Sequence, residues 1–306
     1  MCRADKRLSW MKIFVTGATG YLGYHIVCQC LVEGHQVLCL RRSTSKSFFF
    51  FFQESQIQWV TINEDDWEGK VKAFAPDVLI HAAWGGVRGA GREDSAIQKQ
   101  NIVLSNKLFT LYPYRQIIAI GSQAEYGYYE GPVSENQELH PTMKYALAKC
   151  AVLHELQSFC DKKGIEWQWI RVFTVFGEKQ TGGLISLAIN NCKQTKKFFD
   201  TTKGEQVYSY LYAKDFAEAI CKVIGAKDKS GIYNISQPKE EHSNKDILET
   251  IKAMMGSTID YNYGAVPYAK DQIMLMSGVV DKFEKAFGKI PHTNFKIALQ
   301  NTINSL

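Results

Sequence analysis

The sequence predicts an α/β fold in which a doubly wound parallel sheet carries helices on both faces, with a smaller C-terminal domain interleaved with it. Two observations predict this fold. A short apolar run is followed by a glycine turn and a helical pattern, and further apolar runs of strand length alternate with helix-compatible segments. The apolar runs lie at residues 11–16, 36–40, 57–62, 77–83 and 116–122, and a further strand is predicted at 165–173.

Helical periodicity places two helices among these strands. The first follows the glycine turn and ends at Gly34, with apolar residues at helical spacing at Leu22, Ile26, Val27, Cys30 and Leu31. The second is a long helix over residues 144–163, and Gly164 is predicted to end it because glycine adopts the left-handed conformation readily.

The pattern changes after residue 176, where glycines and polar stretches become more frequent. We expect a helix that begins at Asp215, a strand at 232–236, and a helix capped by Ser243 with Asp246 three residues later. The predicted domains are residues 11–175 plus 208–237 for the first, and residues 176–207 plus 238–306 for the second. Residues 1–10 are expected to be an extension outside the fold.

The composition is that of an ordinary globular protein with one large or two modest domains. The chain has 306 residues, of which 45% are hydrophobic and 22% charged. No apolar run reaches the roughly 18 residues of a membrane span, and residues 1–10 lack the apolar centre of a signal peptide. We therefore expect a cytoplasmic protein without a membrane span.

Charge and cysteine content narrow the classes of ligand. The formal net charge of +5 is mild and not concentrated in basic tracts, which favours small anionic ligands over nucleic acid. The eight cysteines are scattered through a chain too long to need disulfides, so we expect reduced thiols. The Cys28–Cys30 pair has no second Cys/His cluster to complete a zinc site, so we expect no bound metal.

Three glycines stand between the first strand and the first helix, with the spacing GxxGxxG at Gly17, Gly20 and Gly23. The first two permit a tight turn and a close approach of a pyrophosphate to the helix N-terminus, where free N–H groups favour anions. The third allows the helix to pack on the sheet. This context predicts a dinucleotide-binding Rossmann domain.

Two arginines at the end of the second strand bear on which dinucleotide binds. An acidic residue at this place accepts hydrogen bonds from the free ribose 2′-hydroxyl of NAD, whereas it would repel the 2′-phosphate of NADP. Arg41 and Arg42, followed by Ser43, would attract that phosphate. The sequence therefore predicts NADPH, with NAD as the alternative if the two arginines are only solvated surface charges.

A tyrosine and a lysine four residues apart lie in the long helix, at Tyr145 and Lys149, and Ser122 ends the strand at 116–122. Residues four apart share one helical face, so the ammonium can favour the phenolate of the tyrosine. Such a tyrosine can exchange a proton with a hydroxyl or carbonyl, while the serine donates a second hydrogen bond to the same oxygen. The alternative is a solvated helix face.

Five motifs occur in the order typical of one family: TGATGYLG, DVLIHAAW, GSQAEYG, YALAK and RVFTVFG. From about residue 11 to the C-terminus the chain resembles the extended short-chain dehydrogenases/reductases, the nucleotide-sugar epimerase/dehydratase group. The resemblance implies a Ser122, Tyr145 and Lys149 catalytic set and a small C-terminal domain that closes over a nucleotide-diphosphate sugar. It also implies a homodimer that pairs through the helices near 94–110 and 144–163.

Motifs and resemblance together predict the site residues. The predicted cofactor contacts are Gly17, Thr19, Gly20, Tyr21, Leu22, Gly23, Arg41, Arg42, Ser43, Ala82, Ala83, Tyr145, Lys149 and Phe173. The predicted substrate contacts are Trp84, Ser122, Gln123, Thr174, Gly183, Leu184, Tyr208 and Asp271. For Trp84, which follows the fourth strand, simple packing is the alternative to a place in the sugar or nicotinamide pocket.

Departures from the family pattern narrow the reaction. Gln123 and Ala124 stand where the resembling 4,6-dehydratases place the Asp-Glu pair that moves protons during water loss. Ala124 also differs from the Glu of the decarboxylase branch, and Gln123 from the Cys of the fucose-synthase branch. The remaining reactions are 4-epimerisation and 4-keto reduction.

The stretches at 264–277 and 203–206 resemble the CDP-abequose and CDP-paratose synthases, more loosely than the chain resembles the whole family. With the two arginines, they predict NADPH-dependent reduction of the C4 keto group of a nucleotide-diphosphate 4-keto-6-deoxyhexose in deoxysugar biosynthesis. The alternatives are an NAD-dependent 4-epimerase and a non-catalytic NADP-binding sensor. Tyr208 and Ser209 replace the Arg-Asp pair of those synthases, so an expected phosphate-binding cation is missing.

Five consecutive phenylalanines, Phe48 to Phe52, are the low-complexity feature of the chain. Neither a strand nor a helix could bury all five on one face. We expect an apolar loop or helix start packed under the adenine end of the cofactor, with a partner-binding patch as the alternative.

Overall fold

The computed structural model describes residues 10–45, 57–64, 66–194 and 197–306. The run Phe48 to Phe52 and all but the last residue of the 1–10 extension lie outside the described residues. The strands are β1 (Lys12–Thr16), β2 (Gln36–Arg41), β3 (Ile57–Thr61), β4 (Val78–His81), β5 (Gln116–Ile120), β6 (Gly131–Val133), β7 (Glu166–Val172), β8 (Thr174–Phe176), β9 (Phe198–Thr201), β10 (Val207–Tyr212), β11 (Gly231–Ile235), β12 (Glu241–Ser243), β13 (Asp260–Tyr263) and β14 (Leu275–Gly278).

Helices connect most of these strands, and two short 3-10 turns lie at Gly89–Glu93 and Gln123–Tyr126. The helices are α1 (Tyr21–Val32), α2 (Trp67–Phe74), α3 (Ser95–Thr110), α4 (Lys144–Lys163), α5 (Leu184–Lys193), α6 (Ala213–Val223), α7 (Asn244–Met254), α8 (Asp281–Phe287) and α9 (Phe295–Ser305).

The larger sheet has seven parallel strands in the order β3-β2-β1-β4-β5-β7-β11. Its central strands β4 and β5 are buried along their whole length, as expected when both faces of a parallel sheet are covered. Alternate residues of β1 point to opposite faces: Ile13 and Val15 pack with α1 and α6, whereas Phe14 packs with α2, α3 and α4. The predicted α/β doubly wound fold is confirmed.

The strand order reverses between β1 and β4, and ligands of such sheets bind outside the carboxyl ends of the strands at this point. The glycine turn, the end of β2 and the segment after β4 therefore meet at one edge. The β5–α4–β7 crossover brings the two ends of the predicted catalytic set to the same edge.

A smaller sheet has the order β12-β10-β14-β6, with β8 paired to β10. Helices α5, α7 and α9 form a separate apolar core around residues such as Phe176, Ile189, Leu248 and Leu299. Strand β10, which falls in the predicted first domain, pairs in this smaller sheet. The domain boundaries stay a prediction.

Most predicted elements are confirmed, including the end of α1 near Gly34 and the left-handed Gly164 after α4. The hydroxyl of Ser243 caps α7 by accepting the N–H of Asp246 at 3.0 Å. The predicted helix start at Asp215 is wrong, because α6 begins at Ala213. The Asp215 carboxylate instead accepts the N–H and hydroxyl of Thr293, both at 2.7 Å.

No helix within the described ranges is long and apolar enough to cross a membrane. In the same part of the chain, no group of three or more His, Cys, Asp or Glu side chains is placed to hold a metal ion.

Candidate active site

The glycine turn is built so closely that side chains would not fit. Gly17 has a φ of +75°, and a Cβ there would lie 2.6 Å from the backbone of Ala82 and Ala83 at the end of β4. A Cβ on Gly23 would lie 2.1 Å from the carbonyl oxygen of Gly17. Gly20 precedes α1 without a side-chain cap, so the first N–H groups of the helix remain available to a phosphate. This cradle fits the pyrophosphate of a dinucleotide.

A cavity of about 480 Å³ extends from this turn along the edge of the sheet. Of the predicted cofactor contacts it is lined by Gly17, Thr19, Gly20, Arg41, Arg42, Ala82 and Ala83. Ser43 is exposed in the loop beyond β2 and is outside this lining. We call this space the adenosine-side cavity.

The two arginines differ in how firmly they are held. The Arg41 Nε donates to Thr61 Oγ1 at 3.3 Å, and its guanidinium carbon lies 5.4 Å from the Trp59 ring centroid. The Arg42 side chain is exposed, and its backbone N–H donates to Ser45 Oγ at 3.2 Å. Among the described residues neither guanidinium forms an ion pair with a carboxylate, so both charges are available to an anion in the cavity.

A second cavity, of about 310 Å³, adjoins the first and is lined by Ser122, Tyr145 and Lys149. It also contains the predicted cofactor contacts Tyr21, Leu22, Gly23 and Phe173. Trp84 lines both cavities and therefore lies between them. We call this second space the catalytic cavity.

The phenol of Tyr145 lies in the catalytic cavity beside Ser122. Burial raises the pKa of Tyr145 above its usual value, and the Ser122 hydrogen bond and the Arg92 charge offset only part of that rise. The Glu125 carboxylate adds a smaller rise. In this structure the phenol therefore holds its proton.

Lys149 lies near Tyr145 but closer to two other groups. Its Nζ donates to the Ile120 carbonyl oxygen at 2.6 Å and lies 3.6 Å from the Trp84 ring centroid, but 6.0 Å from the Tyr145 ring centroid. Burial lowers the pKa of Lys149 to about 7, against the nearby Glu125 charge, which raises it. The expected lowering of the Tyr145 pKa by Lys149 is not observed, because burial disfavours the charged forms of both groups.

The turn that carries Ser122 is held by a buried ion pair that the sequence analysis missed. Glu125 is fully buried, and its carboxylate accepts the Ser122 N–H at 2.7 Å and the Arg171 Nε at 2.8 Å. Trp169 Nε1 donates to the same carboxylate at 3.0 Å. Arg171, near the end of the predicted strand 165–173, was the available signal, because a charge in a buried strand needs a partner.

The segment after β4 carries two more arginines that the sequence analysis missed. Arg88 lines the catalytic cavity, and a Cβ on Gly182 would lie 2.3 Å from its Nη1. The guanidinium carbon of Arg92 lies 4.8 Å from the centroid of the Tyr145 ring. The signal was two cations in a glycine-rich segment directly after a central strand.

The structure brings only some predicted substrate contacts together. Trp84 and Ser122 line the catalytic cavity, whereas six others lie outside its lining: Gln123, Thr174, Gly183, Leu184, Tyr208 and Asp271. The Gln123 side chain accepts the Tyr129 hydroxyl at 3.1 Å, and the Tyr208 hydroxyl donates to the Ile273 carbonyl at 3.1 Å. Their contact with substrate stays a prediction.

Several proteins named for reactions of nucleotide sugars are similar to this chain. The chain is 25% identical over 247 residues to dTDP-6-deoxy-L-talose 4-dehydrogenase (NAD(+)) of Aggregatibacter actinomycetemcomitans, covering 79% of this chain and 90% of that protein. It is 23% identical over 268 residues to CDP-abequose synthase of Salmonella muenchen, covering 86% and 87%. The solved structure of UDP-glucose 4-epimerase from Thermus thermophilus with NAD superposes with a TM-score of 0.83 at 20% identity, covering 96% of this chain and 98% of that one.

The cradle at the glycine turn, the Ser122–Tyr145 pair and the two adjoining cavities thus occur in a chain whose relatives act on nucleotide sugars. Residues 13–236 match the model of the NAD dependent epimerase/dehydratase family, which is most of the chain. The protein is therefore a member of the NAD dependent epimerase/dehydratase family and an enzyme of the short-chain dehydrogenase/reductase type.

Proposed function

We propose that the protein reduces the C4 keto group of a nucleotide-diphosphate 4-keto-6-deoxyhexose with NADPH. The observation that carries the proposal is that Ser122, Tyr145 and Lys149 line one cavity, which adjoins the glycine cradle, while Arg41 and Arg42 line the neighbouring adenosine-side cavity. The first feature supports proton transfer beside a dinucleotide, and the second supports a phosphorylated ribose.

Within the catalytic cavity each side chain has a separate task. When bound, NADPH supplies a hydride to the sugar C4. Tyr145 gives its proton to the oxygen that becomes a hydroxyl, which suits a phenol whose raised pKa keeps it protonated. Ser122 would orient that oxygen by a second hydrogen bond, and Lys149, one helical turn after Tyr145 in the same cavity, would hold the ribose beside the nicotinamide.

The surroundings of Ser122 favour reduction over water loss. A dehydratase needs an acid and a base beside the sugar, yet the two residues after Ser122 are Gln123, hydrogen-bonded to Tyr129, and the buried Ala124. Glu125, the third, is fully buried and paired with Arg171, so it cannot serve the cavity as a free acid. The 4-dehydrogenase and CDP-abequose synthase among the relatives support chemistry at one keto group.

An NAD-dependent 4-epimerase is the second candidate, and one observation favours it. The Arg41 guanidinium contacts Thr61 and the Trp59 ring without any phosphate, so a ribose with a free 2′-hydroxyl also fits beside it. The relative from Aggregatibacter is named as an enzyme that uses NAD(+), and the Thermus structure holds NAD. The two candidates differ in whether reduced cofactor is consumed.

We also propose that the second domain, residues 176–207 plus 238–306, binds the nucleotide sugar, and that two copies of the chain pair through α3 and α4. The pairing is supported by exposed apolar side chains on both helices, at Val103 and Leu147. Sedimentation of the purified protein tests the dimer, and a monomer at micromolar concentration would contradict it.

The decisive experiment follows NADPH oxidation by the nicotinamide absorbance. CDP- and dTDP-4-keto-6-deoxyglucose are offered separately, with NADH in parallel and Tyr145→Phe as the matched inactive variant. Consumption with NADPH preferred supports the 4-reductase. If no reduced cofactor is consumed and denatured protein releases NAD, the 4-epimerase takes its place.

A further inference from the structure

The segment between β4 and α3 is fixed to the helix by side-chain hydrogen bonds. Gln98 Nε2 donates to the carbonyl oxygen of Gly91 at 2.8 Å and to that of Gly86 at 3.4 Å. Asn101 donates to the Gly85 carbonyl oxygen at 2.9 Å and accepts the Gly85 N–H at 2.8 Å. These hydrogen bonds fix the segment 85–91 to α3, and they therefore also fix the position of Arg92, the next residue.

A close backbone crossing tightens the same segment. Gly86 has a φ of +65°, and a Cβ there would lie 2.5 Å from the Gly91 carbonyl oxygen. A Cβ on Gly91 would lie 2.8 Å from the Gly86 Cα. Because only glycine fits at either position, the chain doubles back here and directs Arg92 toward the catalytic helix.

The Arg92 side chain meets the ring of Tyr145. Its guanidinium carbon is 4.8 Å from the ring centroid, within the range of a cation–π contact. Its Nε is buried and has no hydrogen-bond partner among the described residues. A guanidinium without an acceptor is costly to bury, and the attraction to the ring grows when the ring becomes a phenolate and gains negative charge.

Arg88 is a second arginine in the catalytic cavity, but Arg92 is the cation whose charge lowers the Tyr145 pKa. Ser122 is neutral, Glu125 is an anion that raises the Tyr145 pKa, and Lys149 on the same helix as Tyr145 is directed at the Ile120 carbonyl oxygen. Near pH 7 Lys149 is only partly charged, because burial lowers its pKa to about 7. An arginine keeps its charge over the whole range in which proteins are stable.

We propose that Arg92 is a positioning residue that holds the Tyr145 ring and stabilises its phenolate when the proton is transferred. The inference rests on the proposed role of Tyr145 in proton transfer. It gives Arg92 a role beside that of Lys149, which lines the same cavity.

The test is an NMR titration of the full chain labelled with ¹³C at tyrosine Cζ, whose shift reports ionisation. The Tyr145 signal is the one that Tyr145→Phe removes, and no substrate is needed. The variants are Arg92→Gln and Arg92→Met, which remove the charge, and Arg92→Lys, which keeps it. Arg115→Met is the matched control, since Arg115 pairs with Asp77 before β5, at the opposite edge of the sheet.

We expect the phenolate fraction of Tyr145 at a given alkaline pH to fall about three- to tenfold without the Arg92 charge. Arg92→Lys should recover most of it, and Arg115→Met should leave it unchanged. Circular dichroism establishes which variants are folded, and either charge-removing variant suffices for the decision. An unchanged Tyr145 titration in a folded charge-removing variant overturns the inference. Retained turnover in Tyr145→Phe removes instead the proposed function and leaves the titration result intact.

Discussion

The adenosine-side cavity and the catalytic cavity are the two ends of one crevice, and they differ in whether their charged side chains are exposed or buried. In the adenosine-side cavity Arg41 is half-buried and Arg42 exposed, and neither is paired with a carboxylate among the described residues. In the catalytic cavity Lys149 is 5% exposed, and the neighbouring Glu125 and Arg171 are 0% and 1% exposed. Charges in contact with water act on ligand affinity and are screened by salt, whereas buried charges act on proton affinity and on stability.

The largest expected effect is a loss of turnover when the catalytic cavity is changed, without a loss of cofactor affinity. Tyr145→Phe removes the proton donor and keeps the ring, so we expect kcat to fall about 10²- to 10⁴-fold. NADPH affinity should change less than about twofold, because the phenol does not bind the cofactor phosphates. Steady-state kinetics and cofactor titration by fluorescence measure both quantities, and a similar loss in both would show that the two ends are not separate.

Removal of a buried partner should destabilise the catalytic end. Glu125→Ala leaves the Arg171 charge buried and unpaired and frees the Ser122 N–H, so we expect unfolding free energy to fall by about 3–5 kcal/mol. Glu125→Gln keeps an acceptor and should lose less. Urea denaturation measures the change, and equal stability of Glu125→Ala and wild type would contradict the structural role of the pair.

The exposed end should respond through affinity instead. Arg41→Asp replaces an attraction for the 2′-phosphate by a repulsion, so we expect the Kd for NADPH to rise about 10- to 100-fold, with a change below about threefold for NADH. Arg115→Asp makes the same charge change far from the crevice and should alter neither Kd. An equal rise in Kd for NADPH and NADH would show that Arg41 does not distinguish the 2′-phosphate from a 2′-hydroxyl.

The smallest effect is a pH slope. The pKa of Lys149 in the folded chain is about 7, below its usual 10.5, so the folded chain binds fewer protons between those values. Stability contributed at this site therefore rises with pH across that window, by up to about 1.4 kcal/mol per pH unit. Lys149→Met should remove this slope, and Lys144→Met, an exposed change on the same helix, should keep it. Urea denaturation at several pH values measures this slope. A slope that persists in Lys149→Met would contradict the lowered pKa of Lys149.

Much of the fold could be predicted because its signals are local. The apolar runs that became β1, β2, β4 and β5 and the helical spacing that became α1 and α4 each depend on residues close in sequence. The glycine turn was predicted for the same reason, since Gly17, Gly20 and Gly23 sit at fixed spacing between a strand and a helix. The start of α6 was predicted wrongly because Asp215 was taken as its cap. The Asp215 carboxylate instead accepts a hydrogen bond from Thr293, which is distant in sequence.

The residues of the candidate site could be predicted from the sequence, but the directions of their pKa shifts could not. Ser122, Tyr145 and Lys149 share one cavity, as the motifs indicated, but their pKa values depend on burial and on residues brought in by folding. Glu125, in the 3-10 turn after β5, meets Arg171 on β7, and Arg92 reaches Tyr145 from the segment before α3. Contacts between residues so far apart in sequence cannot be predicted from local spacing. The hydrogen bond of Lys149 to the Ile120 carbonyl oxygen is therefore known only from the structure.

The crossover β5–α4–β7 has a consequence for how the enzyme matures. Ser122 and Glu125 follow β5, Tyr145 and Lys149 lie on α4, and Arg171 lies on β7, so these five residues belong to one βαβ unit, which Arg92 joins from the segment before α3. Contacts within such a unit close short loops and form early relative to pairings of distant segments. A nascent chain could therefore assemble its chemical centre before the C-terminal half that completes the smaller sheet has been synthesised.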